Sequence, residues 1–380
     1  MRVTQWRWAS DQPLQSPSPD PSADLVFVFG GPNRMADPRL FDQIRALYPD
    51  ALIAGASTSG EVLGSTIHDD SLAITSLAFD QAAAALAQVE LRDDETDYAA
   101  GKRLVEGLPH THPAAGPLRH VFVLADGVRL NGSAFARGME AELPEGVAVT
   151  GGLAADGAQF ERTPIWANAA LDRPSAVVVG LYGEGLRIGY GAVGGWDPFG
   201  PERLVTKSEG NVLHELDGRS ALALYKEYLG PHAEALPASG LLFPLAIRTE
   251  TSAYDLVRTT LGVDEANQTI TFAGDIPEGA YARFMKTNVD RIIDGAHSAA
   301  TAALQRAGDT RAELALVVSC VGRRLTLGQR IEEELDEIDD LIGGVPITGF
   351  YSHGEMAPAE CGVQCELHNQ TMTLTTLAEA

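Results

Sequence analysis

The sequence predicts a mixed α/β fold: repeated strand-helix-strand-hairpin units forming two packed domains with mixed sheets. Three observations carry that expectation. The 380 residues exceed what one hydrophobic core usually serves. Short apolar runs of strand length alternate with stretches of helical periodicity. One order of elements also recurs three times along the chain, each time passing through a glycine-containing turn.

In the first copy Asp24 to Gly30 (DLVFVFG) reads as a strand, and Asp37 to Tyr48 places Leu40, Phe41, Ile44 and Leu47 at helical spacing. The strand Leu52 to Gly55 follows, then the turn Ala56-Ser-Thr-Ser-Gly-Glu61, then the strand Ser71 to Phe79. The second copy runs from His120–Ala125 through a helix over 132–143 and the turn after Val149 to a strand over 175–182. In the third, a strand over 313–319 leads through one long helix over 326–341 and the turn after Ile347 to a strand over 372–377.

Superposing the copies puts Gly55, Gly151 and Gly349 in one position, with Ser59, Ala155 and His353 four residues later and Gly60, Asp156 and Gly354 next. Glycine suits a place of positive φ or of close backbone approach. The turns are therefore either simple strand exits or the walls of one pocket. In the pocket reading the ligand-binding side chains are Ser57, Ser59, Glu61, Asp156, Tyr351, Ser352 and Glu355.

Around these copies, residues 10–23 hold four prolines, which remove donors and fix φ, so 1–23 is expected to be a disordered linker. A Gly-rich strand over 184–196, a strand over 211–217, a helix over 220–229, antiparallel strands over 241–281 and a helix over 288–306 fill the remainder. The expected domains are 24–218 and 219–380.

A formal charge of −24 disfavours nucleic acid and anionic lipid surfaces. The N-terminus lacks the apolar segment of a secretory signal, and no run approaches eighteen apolar residues, so a cytoplasmic location without membrane insertion is expected. Three cysteines, Cys320, Cys361 and Cys365, suggest free thiols. No phosphate-binding loop, GxGxxG after a strand, GxSxG or HExxH occurs, so catalysis receives no direct support. A thiol nucleophile at Cys361 or Cys365 with His353 or His368 is the competing enzyme reading.

Potential ligating groups are densest at His353, Glu355, Cys361, Cys365 and His368, but their spacing is not that of a zinc finger. The covalent haem motif Cys-x-x-Cys-His is absent, leaving noncovalent haem with one axial side chain. His214, in the strand Asn211 to Asp217, His353 and His368 are the candidate axial ligands; for each, a structural role is the alternative. The acidic run 329–341 reads as a solvated face, with partner docking as its alternative.

The segments 346–358 (PITGFYSHGEMAP) and 365–375 (CELHNQTMTLT) resemble the end of a FIST C-terminal domain. Residues 211–225 (NVLHELDGRSALALY), 151–157 (GGLAADG) and 55–61 (GASTSGE) are similar to FIST N-terminal pieces. The resemblance spans roughly 24–378 and implies an intracellular signal-transduction module that senses small ligands such as amino acids. Stand-alone members include haem-binding nitric oxide sensors that regulate a partner histidine kinase. It thus implies noncovalent haem b and a histidine kinase partner, or else a haem-free sensor of amino acids or related metabolites; a homo-oligomer is a separate expectation that the resemblance does not supply.

Overall fold

A computed structural model of the chain describes residues 1–9, 14, 19–249, 255–359 and 364–380. The three copies expected from the sequence are three sheet-and-helix units, and the fold is mixed α/β. The first unit orders its strands Arg2–Trp8, Leu72–Ala78, Leu25–Gly30, Leu52–Ser57. The second has Ala83–Glu90, Ser175–Tyr182, Gly116–Ala125, Ala148–Leu153, and the third has Leu186–Val193, Met372–Glu379, Leu314–Cys320, Ile347–Ser352. In every case the last two are parallel and the first two pair antiparallel.

Each unit finishes its sheet with a strand from another. Ile165–Ala167 of the second unit pairs with Leu52–Ser57 of the first. Gly354–Pro358 of the third pairs with Ala148–Leu153 of the second, and Glu61–Leu63 of the first pairs with Ile347–Ser352 of the third. The exchange is cyclic, and it covers an edge that would otherwise expose unpaired backbone groups.

Strand alternation then sorts the side chains. One face of all three sheets meets in a shared core holding Phe27, Phe29, Phe122, Leu124, Leu316, Val318 and Phe350. Phe27 lies edge-on to Phe122 with centroids 5.4 Å apart, and Phe29 stacks on Phe350 at 4.9 Å, so rings from all three units touch. The opposite faces are covered by helices. Pro38–Leu47 covers the first unit through Leu40, Phe41 and Ile44. Asp97–Glu106 and Gly132–Glu140 cover the second, and Val289–Ala307 with Glu333–Ile342 covers the third. Side-chain caps fix several helix starts: Asp37, Thr96, Asn131 and Asn288 each accept a first-turn N–H.

Gly55, Gly151 and Gly349 stand at one register position, opposite Val28, Val123 and Val317. A Cβ at these glycines would lie 2.5, 2.0 and 1.8 Å from the carbonyl oxygens of those valines. Close backbone approach is therefore the reason for all three, with positive φ added only at Gly151 (135°).

Two expectations are corrected. Residues 1–23 are not wholly a linker: Arg2–Trp8 pairs along the full length of Leu72–Ala78 and buries Trp6 and Trp8. The long helix over 326–341 is divided into Val321–Leu327 and Glu333–Ile342, because Gly328 takes φ 56° and ends the first piece. The expected boundary near 218 stands between strands Val212–Leu216 and Arg219–Ser220 of an eight-stranded sheet, in which Asp197–Glu209 pairs with Tyr281–Lys286 and Val212–Leu216 with Thr269–Phe272. That sheet packs on helix Ala221–Leu229 and is inserted between the outer strand of the third unit and the rest of it.

Deleting residues 1–9 should lower stability by at least about 3 kcal/mol, the scale of uncovering two buried tryptophans. Urea unfolding of the shortened and full chains measures it, and an unchanged midpoint would restore the linker reading.

Candidate functional site

The three glycine turns come together at one end of the shared core and are tied in a ring. Ser59 N–H donates to the Tyr351 carbonyl at 2.8 Å, Ala155 N–H to Ser57 at 2.9 Å, and His353 N–H to Leu153 at 3.2 Å. These are equivalent bonds in the three units. Gly157 N–H also donates to Ser59 Oγ at 2.8 Å, and His353 Nε2 lies 2.9 Å from the Gly157 carbonyl.

Two of the turns carry the same carboxylate arrangement. Glu61 Oε1 accepts from the Thr58 hydroxyl at 2.6 Å, while its Oε2 accepts from Ser71 N–H and Oγ–H at 3.0 and 2.7 Å. Glu355 accepts from the Ser352 hydroxyl at 2.5 Å and from Thr371 N–H at 3.2 Å. Burial outweighs these bonds and pushes Glu61 up to about 7 and Glu355 up to about 8. The second turn has Gly157 at the equivalent place and uses its acid otherwise: Asp156 accepts from the N–H groups of Phe160, Glu161 and Arg162 at 2.9, 2.7 and 2.9 Å.

A cleft of about 250 Å³ opens beside the ring, lined by Thr58, Ser59, Glu61, Asp69, Asp70, Asp156, Gln159 and Arg324. Of the residues expected from the sequence it gathers Ser59, Glu61 and Asp156. Ser57 lies buried behind them, its hydroxyl without a hydrogen-bond partner among the described residues. Tyr351, Ser352 and Glu355 belong to the ring but not to this cleft: the Tyr351 hydroxyl turns away to donate to Glu334 at 2.6 Å. Arg324 was not anticipated. It grips Asp69 with two bonds of 2.7 and 2.8 Å and donates to the Ser59 carbonyl, across 255 residues of chain to Asp69, so no local motif could announce it.

The three histidines are not brought together. His214 is half-buried on the inserted sheet. His353 sits in the ring with Nδ1 3.2 Å from the Gly127 carbonyl and Nε2 against Gly157, so neither nitrogen is open to a metal. Burial holds it below the usual histidine range even with Asp156 3.5 Å away. His368 is different. Its Nε2 meets only the Ala357 carbonyl, at 3.0 Å, burial pushes it down to about 4, and it lines a separate cleft of about 300 Å³ with Val193, Trp196, Val257, Met285 and Thr371. A carbonyl holding one ring nitrogen is the usual support of a histidine that ligates through the other. His368 thus has one ring nitrogen held by a carbonyl, whereas both nitrogens of His353 are engaged.

Cys320 and Cys365 are free, buried thiols, and burial raises both well above the ordinary thiol range, which disfavours the nucleophilic thiolate. Cys361 lies outside the described residues. Among the described residues no group of three or more His, Cys, Asp or Glu side chains is arranged to hold a metal ion, and no helix is long and apolar enough to cross a membrane.

Comparison with known proteins bears on the same segments. The FIST N domain model matches residues 24–219 and the FIST C domain model matches 221–358. Uncharacterised proteins of Mycobacterium bovis and Mycobacterium tuberculosis are each 29% identical over 228 residues, covering 57% of this chain and 57% of theirs. A protein of Methanocaldococcus jannaschii is 25% identical over 337 residues, 83% of this chain and 63% of the relative. The chain therefore spans less than two thirds of the length of these relatives. Among solved structures, a cyanuric acid hydrolase from A. caulinodans aligns over 99% of both chains at 10% identity with a TM-score of 0.35. A chorismatase aligns over 99% of this chain and 98% of its own at 9% identity with a TM-score of 0.32. FIST domains are sensory, ligand-binding domains, and with both of them matched in order along the sequence the chain belongs to the FIST family.

Proposed function

We propose that this chain is a sensor of a small zwitterionic metabolite of the amino-acid class, held in the cleft beside the ring of turns. The observation that carries this reading is the charge arrangement. One guanidinium, Arg324, lines a cleft of about 250 Å³ together with Asp69, Asp70, Asp156, Glu61 and the hydroxyl residues Ser59 and Thr58, and it is paired there with Asp69. A ligand carboxylate would share Arg324 with Asp69, and the acids would meet an ammonium group; the excess of acids favours ligands with an additional amine. The lining residues come from all three units, so an occupant acts on their mutual packing, and the signal leaves by contact with a partner, a histidine kinase in this reading.

A second reading rests on His368. Noncovalent haem would be held by His368 in the cleft with Trp196 and Met285, and an iron with one protein ligand binds a diatomic gas such as nitric oxide. In either reading the protein acts in the cytoplasm and a second copy of the chain completes the signalling unit.

In a thermal-shift screen of amino acids and diamines, a true ligand at about 100 times its Kd should add about 2.7 kcal/mol of stability. Arg324→Gln and Asp70→Asn should each weaken that response; a panel without a stabilising compound would sink the zwitterion reading.

Protonation of Glu61 gives a separate outcome. The folded value lies above the unfolded one, so the folded chain holds a proton that the unfolded chain releases. The Glu61 contribution to stability should then fall as pH rises from about 4.5 to about 7 and level off above that, with Glu355 extending the overall fall to about pH 8. Glu61→Gln, whose amide can donate to Thr58 and accept from Ser71, should flatten the slope and be about 1–3 kcal/mol more stable than the parent at pH 8. Urea midpoints at pH 5 and pH 8 provide the comparison.

Haemin titration separates the second reading. A Soret band retained in His214→Ala and lost in His368→Ala is the expected result, and a protein that takes up no haemin eliminates it.

A further inference from the structure

The loop from Ala154 to Pro164 leads away from the ring to another cleft, and its central residue holds an unusual backbone. Phe160 has φ 54°, a left-handed conformation in which a bulky side chain is an outlier and glycine would sit without cost. The three N–H groups that Asp156 accepts, from residues 160, 161 and 162, keep the chain in that shape. The result is an aromatic ring laid on the ring of His353, with centroids 4.3 Å apart and planes 21° from parallel, while Phe160 stays 45% exposed.

Two other exposed apolar side chains face the same space. Val128 is 40% exposed and Leu261 44%, so this cleft holds three of the six large hydrophobics that are exposed among the described residues. Leu130, Leu153 and Phe272 line it further in, and its volume is about 250 Å³. Its polar side chains are already engaged. Asn131 caps helix Gly132–Glu140 and donates to Asp275, Asn211 donates to the Phe272 carbonyl, and Arg129 is held by Asp93 and the Arg92 carbonyl.

We infer that this cleft is a second binding site, taking a flat, mostly apolar ring compound of about the size of indole. The exposed apolar side chains of Val128, Phe160 and Leu261 and the already engaged polar groups favour an apolar ring over a charged ligand, and the volume is too small for a helix or an extended peptide. The exposed part of the Phe160 ring supplies an aromatic surface for stacking. An occupant would touch the second unit through Val128 and Leu153, the third through His353, and the inserted sheet through Leu261 and Phe272. The inference is independent of what binds beside Arg324.

Indole is the probe, titrated into the full chain by isothermal calorimetry. Saturable binding of one molecule per chain is expected. Val128→Asp and Leu261→Asp, both at half-exposed positions, should weaken it by about tenfold or more. Phe160→Gly, which accepts the φ without strain, should weaken it similarly while leaving the melting temperature unchanged or raised. Asp70→Asn, in the polar cleft, should leave it unaltered. Absence of saturable binding, an affinity that none of the three cleft substitutions moves, or loss of binding in Asp70→Asn would each overturn the proposal.

Discussion

Three backbone hydrogen bonds, Ser59 to Tyr351, Ala155 to Ser57 and His353 to Leu153, set the relation of the units, and much of the remaining structure depends on them. Each contributes only about 0.5–1.5 kcal/mol net. Their weight lies in where they stand. Beyond them the chain delivers a strand to another unit's sheet, at once after Ser59 and His353 and after the loop to Pro164 in the second unit, and a slip of one residue would send every donated side chain to the wrong face. The cyclic exchange means that no unit has a complete sheet alone, so the shared core around Phe27, Phe29, Phe122 and Phe350 forms only when all three are in place.

The third unit anchors its part of the ring with buried charge. Arg323 and Glu334 are both fully buried and meet at 2.7 Å. Arg323 also donates to the carbonyls of Gly194 and Ile292, and Glu334 takes the hydroxyls of Ser319 and Tyr351. Removing one member of such a pair typically costs about 3–5 kcal/mol, because the other is left buried and uncompensated. The pair fixes Tyr351, whose carbonyl closes the ring and whose phenol is pushed well above its usual range by burial and by Glu334. Position in the ring is thereby tied to the helices on the outer face of the third unit.

The parts legible in the sequence were those governed by local periodicity. Strand Ser175–Tyr182 and helices Pro38–Leu47 and Val289–Ala307 follow from alternating or helical apolar spacing, and the glycines at 55, 151 and 349 mark one repeated position. What escaped depends on partners far along the chain. The seven residues Arg2–Trp8 look like a polar terminus until Leu72–Ala78 is there to pair with them. Arg324 gains meaning only beside Ser59 and Asp69. The helix break at Gly328 was hidden by an acidic run with good helical periodicity on its far side, since glycine inside such a run reads equally as tolerated. Of the expected site, Ser59, Glu61 and Asp156 share a cleft, while Tyr351, Ser352 and Glu355 bond within the third unit, to Glu334, to one another and to Thr371, partners that lie far from the turn or were not paired with it by any local pattern.

Asp156 gives a physical route between the two clefts. Its carboxylate lines the polar cleft, and the same oxygens hold the N–H groups that fold the loop carrying Phe160. An ammonium group bound beside Arg324 would draw on those oxygens, weakening three bonds that keep a bulky residue in a left-handed conformation. Phe160 would then be free to leave the left-handed conformation, and with it the stack on His353 that shapes the second cleft. Coupling of this kind needs differential contacts in two states. Asp156 lines the polar cleft while its oxygens are committed to the loop, so an occupant's ammonium group and those three N–H groups would have to share one carboxylate.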